Sequence, residues 1–293
     1  AKLTDPDGAS NEFLGSGGPA LSSDGLVLAA GAYGKSDLGS KSGVVLVWQR
    51  EDFSTTLSSV TPVKVGFPGG GAGDRLGEGG VALSSDGLVL AAGAYGDDDV
   101  SSNSGAILVW QREALSTSLS DVTPVKLKDP NAANNDNLGK GGAALSSDGL
   151  VLAAGAYGYD GIASSAGAIL VWQRADRSTN LSTVTPVKLT DPDGAKNDYL
   201  GWSRACLSSY GLVLAASSYK DDDMGDESGS LLVWQRPDLS ASFIDSAPIK
   251  LIDPEGKGGD ELGKAGVSIV KTTEGKVVVA AAGTYIVLFV QIN

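Results

Sequence analysis

Short apolar runs separated by polar, glycine-rich turns recur along the whole chain. In one stretch Gly79-Gly80-Val81-Ala82-Leu83 leads into Ser-Ser-Asp-Gly, then into the run from Leu88 to Ala94. A polar loop from Asp97 to Gly105 follows. Then come Ala106-Ile107-Leu108-Val109-Trp110 and, after Thr123-Pro124, Val125-Lys126-Leu127. Runs this short, bounded by Gly, Pro and Asp, read as strands, and Asp-Gly between apolar runs is a strong hairpin signal. Helical periodicity is weak throughout; the stretch from Arg112 to Asp121 has room for one helical turn.

The pattern repeats. Trp48, Trp110, Trp172 and Trp234 recur with a period of 62, as do the turn blocks beginning at Leu21, Leu83, Leu145 and Leu207. A fifth, degenerate copy contains Glu274-Gly275 and the run from Val277, aligned with a two-residue insertion before Glu274. Four antiparallel strands per repeat of this length is the blade of a β-propeller. The expected fold is therefore all-β: a single domain, 1–293, with five four-stranded blades over 14–66, 76–128, 138–190, 200–252 and 262–293 plus 1–4. The last blade lacks its own fourth strand, and Lys2-Leu3-Thr4-Asp5 matches Lys188-Leu189-Thr190-Asp191, three periods on. The N-terminal segment is thus expected to pair beside the C-terminal strand and close the ring, which removes an open sheet edge. The tryptophans are expected in the core between blades. The fourth-strand lysines, Lys2, Lys64, Lys126, Lys188 and Lys250, read as edge charges that discourage sheet-to-sheet pairing.

Composition narrows the chemistry. The 293 residues are 42% hydrophobic, enough for a real core, and the 41 glycines suit many tight turns. A net charge of −13 argues against a nucleic-acid partner. The absence of histidine removes Ser-His-Asp and Cys-His catalysis, and the single cysteine, Cys206, allows neither an internal disulfide nor a thiolate zinc site. The apolar stretch from Val277 to Val290 is short for a membrane span and reads as two strands, so no membrane insertion is expected. The N-terminus shows no apolar signal core, so a signal peptide is absent or already removed.

At its turn residues the chain resembles the FG-GAP repeat family, also found in integrin alpha-subunit propellers. The "FG" step is Leu-Gly at Leu14, Leu76, Leu138, Leu200 and Leu262. The "GAP" step is Gly-Ala-Tyr-Gly at Gly31, Gly93 and Gly155. The resemblance covers nearly the whole chain, and implies extracellular or cell-surface binding. It departs at the integrin calcium loop: Asp24, Asp86 and Asp148 stand in plain Ser-Ser-Asp-Gly turns, and one carboxylate cannot supply six to eight oxygens.

Strand parity collects acidic loops at one end of the ring. One position is acidic in all five copies: Glu12, Asp74, Asp136, Asp198 and Asp260. With Asp191 and Asp193 these are candidate Ca²⁺ ligands, set as a carboxylate ring toward the pore mouth; the alternative is turn capping by Asp side chains. The Asp97-Asp98-Asp99 and Asp221-Asp222-Asp223 triplets read as solvated loop charge. Asymmetry is the other clue. In the fourth copy Trp202 replaces Ser16, Glu78 and Lys140, Arg204 replaces Gly18, Gly80 and Gly142, and Tyr199 stands just before. Trp202, Arg204 and Tyr199 together suggest a ligand pocket; the alternative is drift, with Arg204 paired to a local carboxylate.

These features lead to an expected monomeric, non-catalytic module that binds a protein or carbohydrate through its acidic face, with Ca²⁺ as a candidate aid. One alternative is a glycosidase-like enzyme with pore carboxylates. Another is a structural or engineered repeat fragment with no ligand of its own, suggested by a start at a strand boundary.

Overall fold

The computed structural model describes residues 2–271 and 276–292. Five antiparallel sheets follow one another along the chain. The first holds β1 (Ala20–Leu21), β2 (Val27–Ala32), β3 (Val44–Gln49) and β4 (Val63–Val65). The second holds β5 (Val81–Leu83), β6 (Val89–Ala94), β7 (Ala106–Gln111) and β8 (Val125–Leu127). The third holds β9 (Ala143–Leu145), β10 (Val151–Ala156), β11 (Ala168–Gln173) and β12 (Val187–Leu189). The fourth holds β13 (Cys206–Leu207), β14 (Val213–Ser218), β15 (Ser230–Gln235) and β16 (Ile249–Leu251), and the fifth β17 (Gly266–Lys271), β18 (Val277–Ala282) and β19 (Ile286–Ile292). The fold is a five-bladed β-propeller. The one expected helical turn is present as a 3-10 turn, Leu119–Asp121.

The core lies between blades rather than within them. Along β7, Ile107 and Val109 pack toward the third blade, while Leu108 and Trp110 pack toward the first. Both faces of the sheet are covered, which is why this strand reads as an unbroken apolar run. Trp48, Trp110, Trp172 and Trp234 are 1–2% exposed, as a place in the core requires. The Asp-Gly turns are tied by their own aspartates: Asp86 Oδ1 accepts from Ser84 Oγ at 2.7 Å and from Leu88 N at 3.1 Å.

Glycine lets the blades approach. A Cβ on Gly155 would sit 2.0 Å from the carbonyl oxygen of Gly201, and one on Gly79 would sit 2.1 Å from the amide nitrogen of Gly142. Neighbouring blades are also stitched by backbone bonds, Ser23 N to Ser85 O, Ser85 N to Ser147 O and Ser147 N to Ser209 O, each 2.8 Å.

The fifth blade departs from expectation in two ways. Its sheet has three strands, and Lys2–Thr4 forms no strand. The segment packs on the first blade all the same, as the fourth-strand residues Val65, Leu127, Leu189 and Leu251 pack on the blade that follows theirs. Leu3 packs with Leu46 and Trp48, and Asp5 bonds Lys35 Nζ at 2.7 Å. Second, Val277, Val279 and Ala281 face the fourth blade, whereas the two-residue insertion would have placed Val278 and Ala280 there. A one-residue shift exchanges the faces of a strand. The alternate residues Ile286 and Leu288 are 77% and 61% exposed. The Glu274-Gly275 turn lies outside the described residues.

Because the inter-blade contact is backbone on backbone, Gly155→Ala is expected to destabilise the fold by about 3 kcal/mol or more, at the upper end of overpacking costs. Gly66→Ala, whose Cβ would meet nothing closer than 3.5 Å, is expected to stay within about 0.5 kcal/mol. Urea unfolding of the two variants measures the difference.

Candidate functional site

One cavity, about 420 Å³, opens on the propeller axis and is lined by all five blades. Its polar floor comes from a repeat position that carries a different residue in most blades: Ser16, Glu78, Lys140, Trp202 and Lys264. Each stands two residues after the buried or half-buried leucine of a Leu-Gly step. The residue just before that leucine has a left-handed backbone in every blade: Phe13, Arg75, Asn137, Tyr199 and Glu261, with φ between 49° and 56°. Such a conformation is uncommon for non-glycine residues. It turns the chain sharply, so that the residue three positions on enters the axis.

Three of the expected residues meet here. Trp202 and Arg204 line the cavity, and Tyr199 supports Trp202 at a ring-centroid distance of 6.1 Å. Tyr157 and Tyr219 complete an aromatic cluster, 4.5 and 5.7 Å from Trp202. The sequence reading missed both, because as Gly-Ala-Tyr-Gly residues and their equivalent they look like repeat filler. It also missed Glu78, Lys140 and Lys264. Their signal was available: the column at positions 16, 78, 140, 202 and 264 varies directly after the constant Leu-Gly step.

Charge is organised around this cavity. Glu78 pairs with Lys140 and, at 3.4 Å, with Arg75. Tyr95 Oη donates to Glu78 Oε2 at 3.1 Å and accepts from Arg75 Nη1 at 2.7 Å. Burial, and then the Glu78 charge, push the Tyr95 hydroxyl up to about 12. Lys264 pairs with Glu261 at 2.6 Å. Arg204 lies across the axis from the fourth blade. Its Nε donates to Ala143 O at 3.0 Å and its Nη2 to Val81 O at 2.8 Å. The expected alternative partner, a carboxylate, is not there: among the described residues Arg204 makes no ion pair.

The five recurrent acidic residues do not form a ring at the pore. None of them lines the axial cavity. Asp74, Asp136 and Asp198 are buried beside their loops, and each accepts a backbone N–H three residues back, from Gly71, Ala133 and Ala195 at 2.7–2.8 Å. Asp260 does the same with Lys257 N, and Glu12 pairs with Lys35. This is the capping geometry. Asp193 is exposed, and its amide donates to Asp191 Oδ1.

The fourth-strand lysines are the second correction. Four of them, Lys64, Lys126, Lys188 and Lys250, pair with carboxylates of their own blade or of the loop that leads into it instead of guarding edges, while Lys2 is exposed. Lys250 bonds Asp221 at 2.5 Å, Asp223 at 2.7 Å and Asp191 at 3.3 Å, and Lys188 bonds Asp129 at 2.5 Å. Asp97 and Asp221, the first members of the two triplets, are 3% and 2% exposed, so they are not solvated loop charge. Burial works against the Lys250 charge, but the Asp221 and Asp223 hydrogen bonds outweigh it and hold its pKa above the usual range.

Asp191, Asp198 and Asp221 each offer an oxygen, all within 4.8 Å of one another. Calcium takes six to eight oxygens. This set has three carboxylates with the Lys250 ammonium already on two of them, so it suits an ammonium better than calcium. Burial pushes the Asp191 and Asp198 carboxyls up.

Other clefts among the described residues lie between neighbouring blades at the rim. The pair lined by Lys64 and Trp110 and by Lys126 and Trp172 repeats with the blade period, as a consequence of blade packing. In the axial cavity the equivalent positions carry different residues from blade to blade. Among the described residues, no helix is long and apolar enough to cross a membrane.

No protein-family model matches the sequence, and no curated protein matches it. Solved structures do resemble it. The Pseudomonas aeruginosa periplasmic gluconolactonase PpgL aligns at a TM-score of 0.55 and 14% identity, over 93% of this chain and 67% of that one. The Kuenenia stuttgartiensis hydrazine synthase aligns at 0.52 and 14%, over 96% of this chain and 59% of that one. A putative TolB from Agrobacterium tumefaciens aligns at 0.48 and 14%, over 90% and 69%. At these identities the likeness is one of fold.

The comparison corrects one expectation. The chain was expected not to be an enzyme, yet a structure of similar fold is a gluconolactonase, an enzyme. The absence of histidine removes histidine chemistry only. Hydrolysis by carboxylate and cationic groups needs neither histidine nor cysteine, and both kinds of group line the axial cavity.

Two outcomes are expected at the Lys250 interface. Lys250→Met strands buried carboxylates and should cost about 3–5 kcal/mol in urea unfolding. Asp198→Asn should act oppositely. A carboxyl whose folded pKa is raised favours folding below its unfolded value and loses that contribution as pH rises through the folded value. The Asn variant should therefore gain stability over the parent as pH rises from about 4 to 7, read as a growing difference in Tm.

Proposed function

We propose that this propeller binds a compact carbohydrate-class ligand in its axial cavity, with Trp202 as the stacking surface. The observation that carries the reading is the divergence of Ser16, Glu78, Lys140, Trp202 and Lys264 around one cavity in an otherwise regular repeat. Blade packing explains sameness between repeats; it does not require difference. A flat indole beside fixed donors and acceptors is suited to a polyhydroxylated ring. The FG-GAP resemblance favours a recognition role as well. A broad acidic docking face is less favoured, because Asp97, Asp191 and Asp221 are spent on buried lysine pairs.

A second reading adds turnover, and Glu78 favours it. A carboxylate held between Arg75, Lys140 and Tyr95 is placed to take a proton from water attacking a bound sugar lactone. The ring C–O bond would break and the leaving oxygen would take a proton from solvent. The gluconolactonase with this fold gives that reaction class its relevance.

Trp202 makes the test direct. The other four tryptophans are buried, so added sugar should change the emission of Trp202 alone. Mono- and disaccharides are titrated against intrinsic fluorescence. A saturable change that weakens about tenfold in Trp202→Ala is expected, equivalent to about 1.4 kcal/mol. No saturable change with any sugar would overturn the reading. For turnover, base uptake at constant pH is followed with a sugar lactone at saturating concentration, and Glu78→Gln should abolish it, with the fluorescence titration separating loss of turnover from loss of binding.

A further inference from the structure

The ligand class can be narrowed by the charge on the cavity wall. We infer that the axial cavity takes an anionic ligand, a sugar acid or sugar phosphate, whose carboxylate or phosphate sits on the Arg204 guanidinium. This rests on the cavity being the binding site proposed above.

The chain as a whole carries a net charge of −13, but the axis is locally cationic. Arg75, Lys140, Arg204 and Lys264 gather there against Glu78 and Glu261. Lys140 and Lys264 are each matched by one carboxylate, and Arg75 shares Glu78 with Lys140. Arg204 is matched by none. Its two hydrogen bonds go to the neutral carbonyls of Ala143 and Val81, and its Nη1 has no partner among the described residues.

Arg204 is half-buried, and a guanidinium withdrawn in part from water is normally matched by a counter-charge. Burial is the cause that pulls the Arg204 pKa down. The two carbonyl bonds fix the guanidinium plane and leave the Nη1 edge for a ligand. That edge is the geometry that takes carboxylate or phosphate oxygens by charge-assisted hydrogen bonds. The neighbouring glycines fit this arrangement. Gly80 and Gly142 occupy the Arg204 position in the second and third blades, and leave the side chain room to cross the axis. A cationic cavity in an acidic protein also selects against cationic ligands at close range.

The test uses the full chain and four probes: galacturonate, glucose 6-phosphate, neutral methyl glucoside and inorganic phosphate. Each is titrated against Trp202 fluorescence and by calorimetry, at low and high salt. The two anionic sugars are expected to bind about tenfold or more tighter than the neutral one, with an advantage that shrinks as salt rises. Galacturonate and glucose 6-phosphate compared with each other distinguish carboxylate from phosphate. Arg204→Met should erase the advantage and Arg204→Lys should keep part of it. Because Arg204 links three blades, circular dichroism first establishes that each variant is folded. If Arg204→Met does not fold, the salt dependence of the parent protein and the Lys variant decide.

Equal binding of neutral and anionic sugars would overturn the inference and leave the carbohydrate reading standing. Binding of inorganic phosphate as tightly as glucose 6-phosphate would support the anion site and overturn the carbohydrate reading. Absence of binding by all four probes would overturn both.

Discussion

Successive blades meet backbone to backbone, and the rest of the molecule follows from that contact. A methyl group on Gly155 or Gly79 would fall about 2 Å from a neighbouring blade's main chain. This close approach lets the inward-facing strand residues of one sheet enter the next, so that β7 buries Ile107 and Val109 on one side and Leu108 and Trp110 on the other. The hydrophobic effect then acts across interfaces, not inside separate sheets. The interfaces on either side of the second and third blades bury a tryptophan toward the rim and place glycines toward the axis, so the ring is wide outside and narrow inside.

The same constraint makes a site. Where glycine lines the axis the wall is bare backbone, and any larger residue there projects into shared space. The second and third blades keep Gly79-Gly80 and Gly141-Gly142, while the fourth carries Ser203-Arg204. Ser203 is absorbed into the wall, bonding Ser217 Oγ at 2.7 Å and Gly263 O at 2.8 Å. Arg204 has no such neighbour on its own blade and crosses to Ala143 and Val81. Two replacements in one blade thus have different fates, because one side chain is short enough to be satisfied locally.

Charge inside the interfaces follows a parallel logic. Each lysine of β8, β12 and β16 reaches carboxylates on a loop, and low exposure strengthens each pair. Around Lys250 three buried carboxylates gather, Asp191, Asp198 and Asp221, and the ammonium bonds Asp191 and Asp221. Buried pairs of this kind contribute little net stability when intact but penalise the loss of either partner. They also specify which loop lies against which blade, since a misplaced lysine would be left unpaired.

Much of this was legible in the sequence. The strand runs, the blade period, the Asp-Gly turns, the buried tryptophans and the meeting of Trp202, Arg204 and Tyr199 follow from patterns of two or from repetition with one local break. What was not legible depended on partners far apart in the chain. Lys250 looks like an edge charge until Asp191 and Asp221 are brought beside it. The Asp198 series looks like a pore ring until each carboxyl turns back on its own loop. Lys2–Thr4 looks like a closing strand, and Leu3 takes that strand's place against the first blade without the segment forming a strand. The sequence by itself determined the strands, because apolar alternation and turn chemistry are local. Only the tertiary structure decided which residues face the axis and which charges are paired, because both depend on residues brought together from different loops and blades.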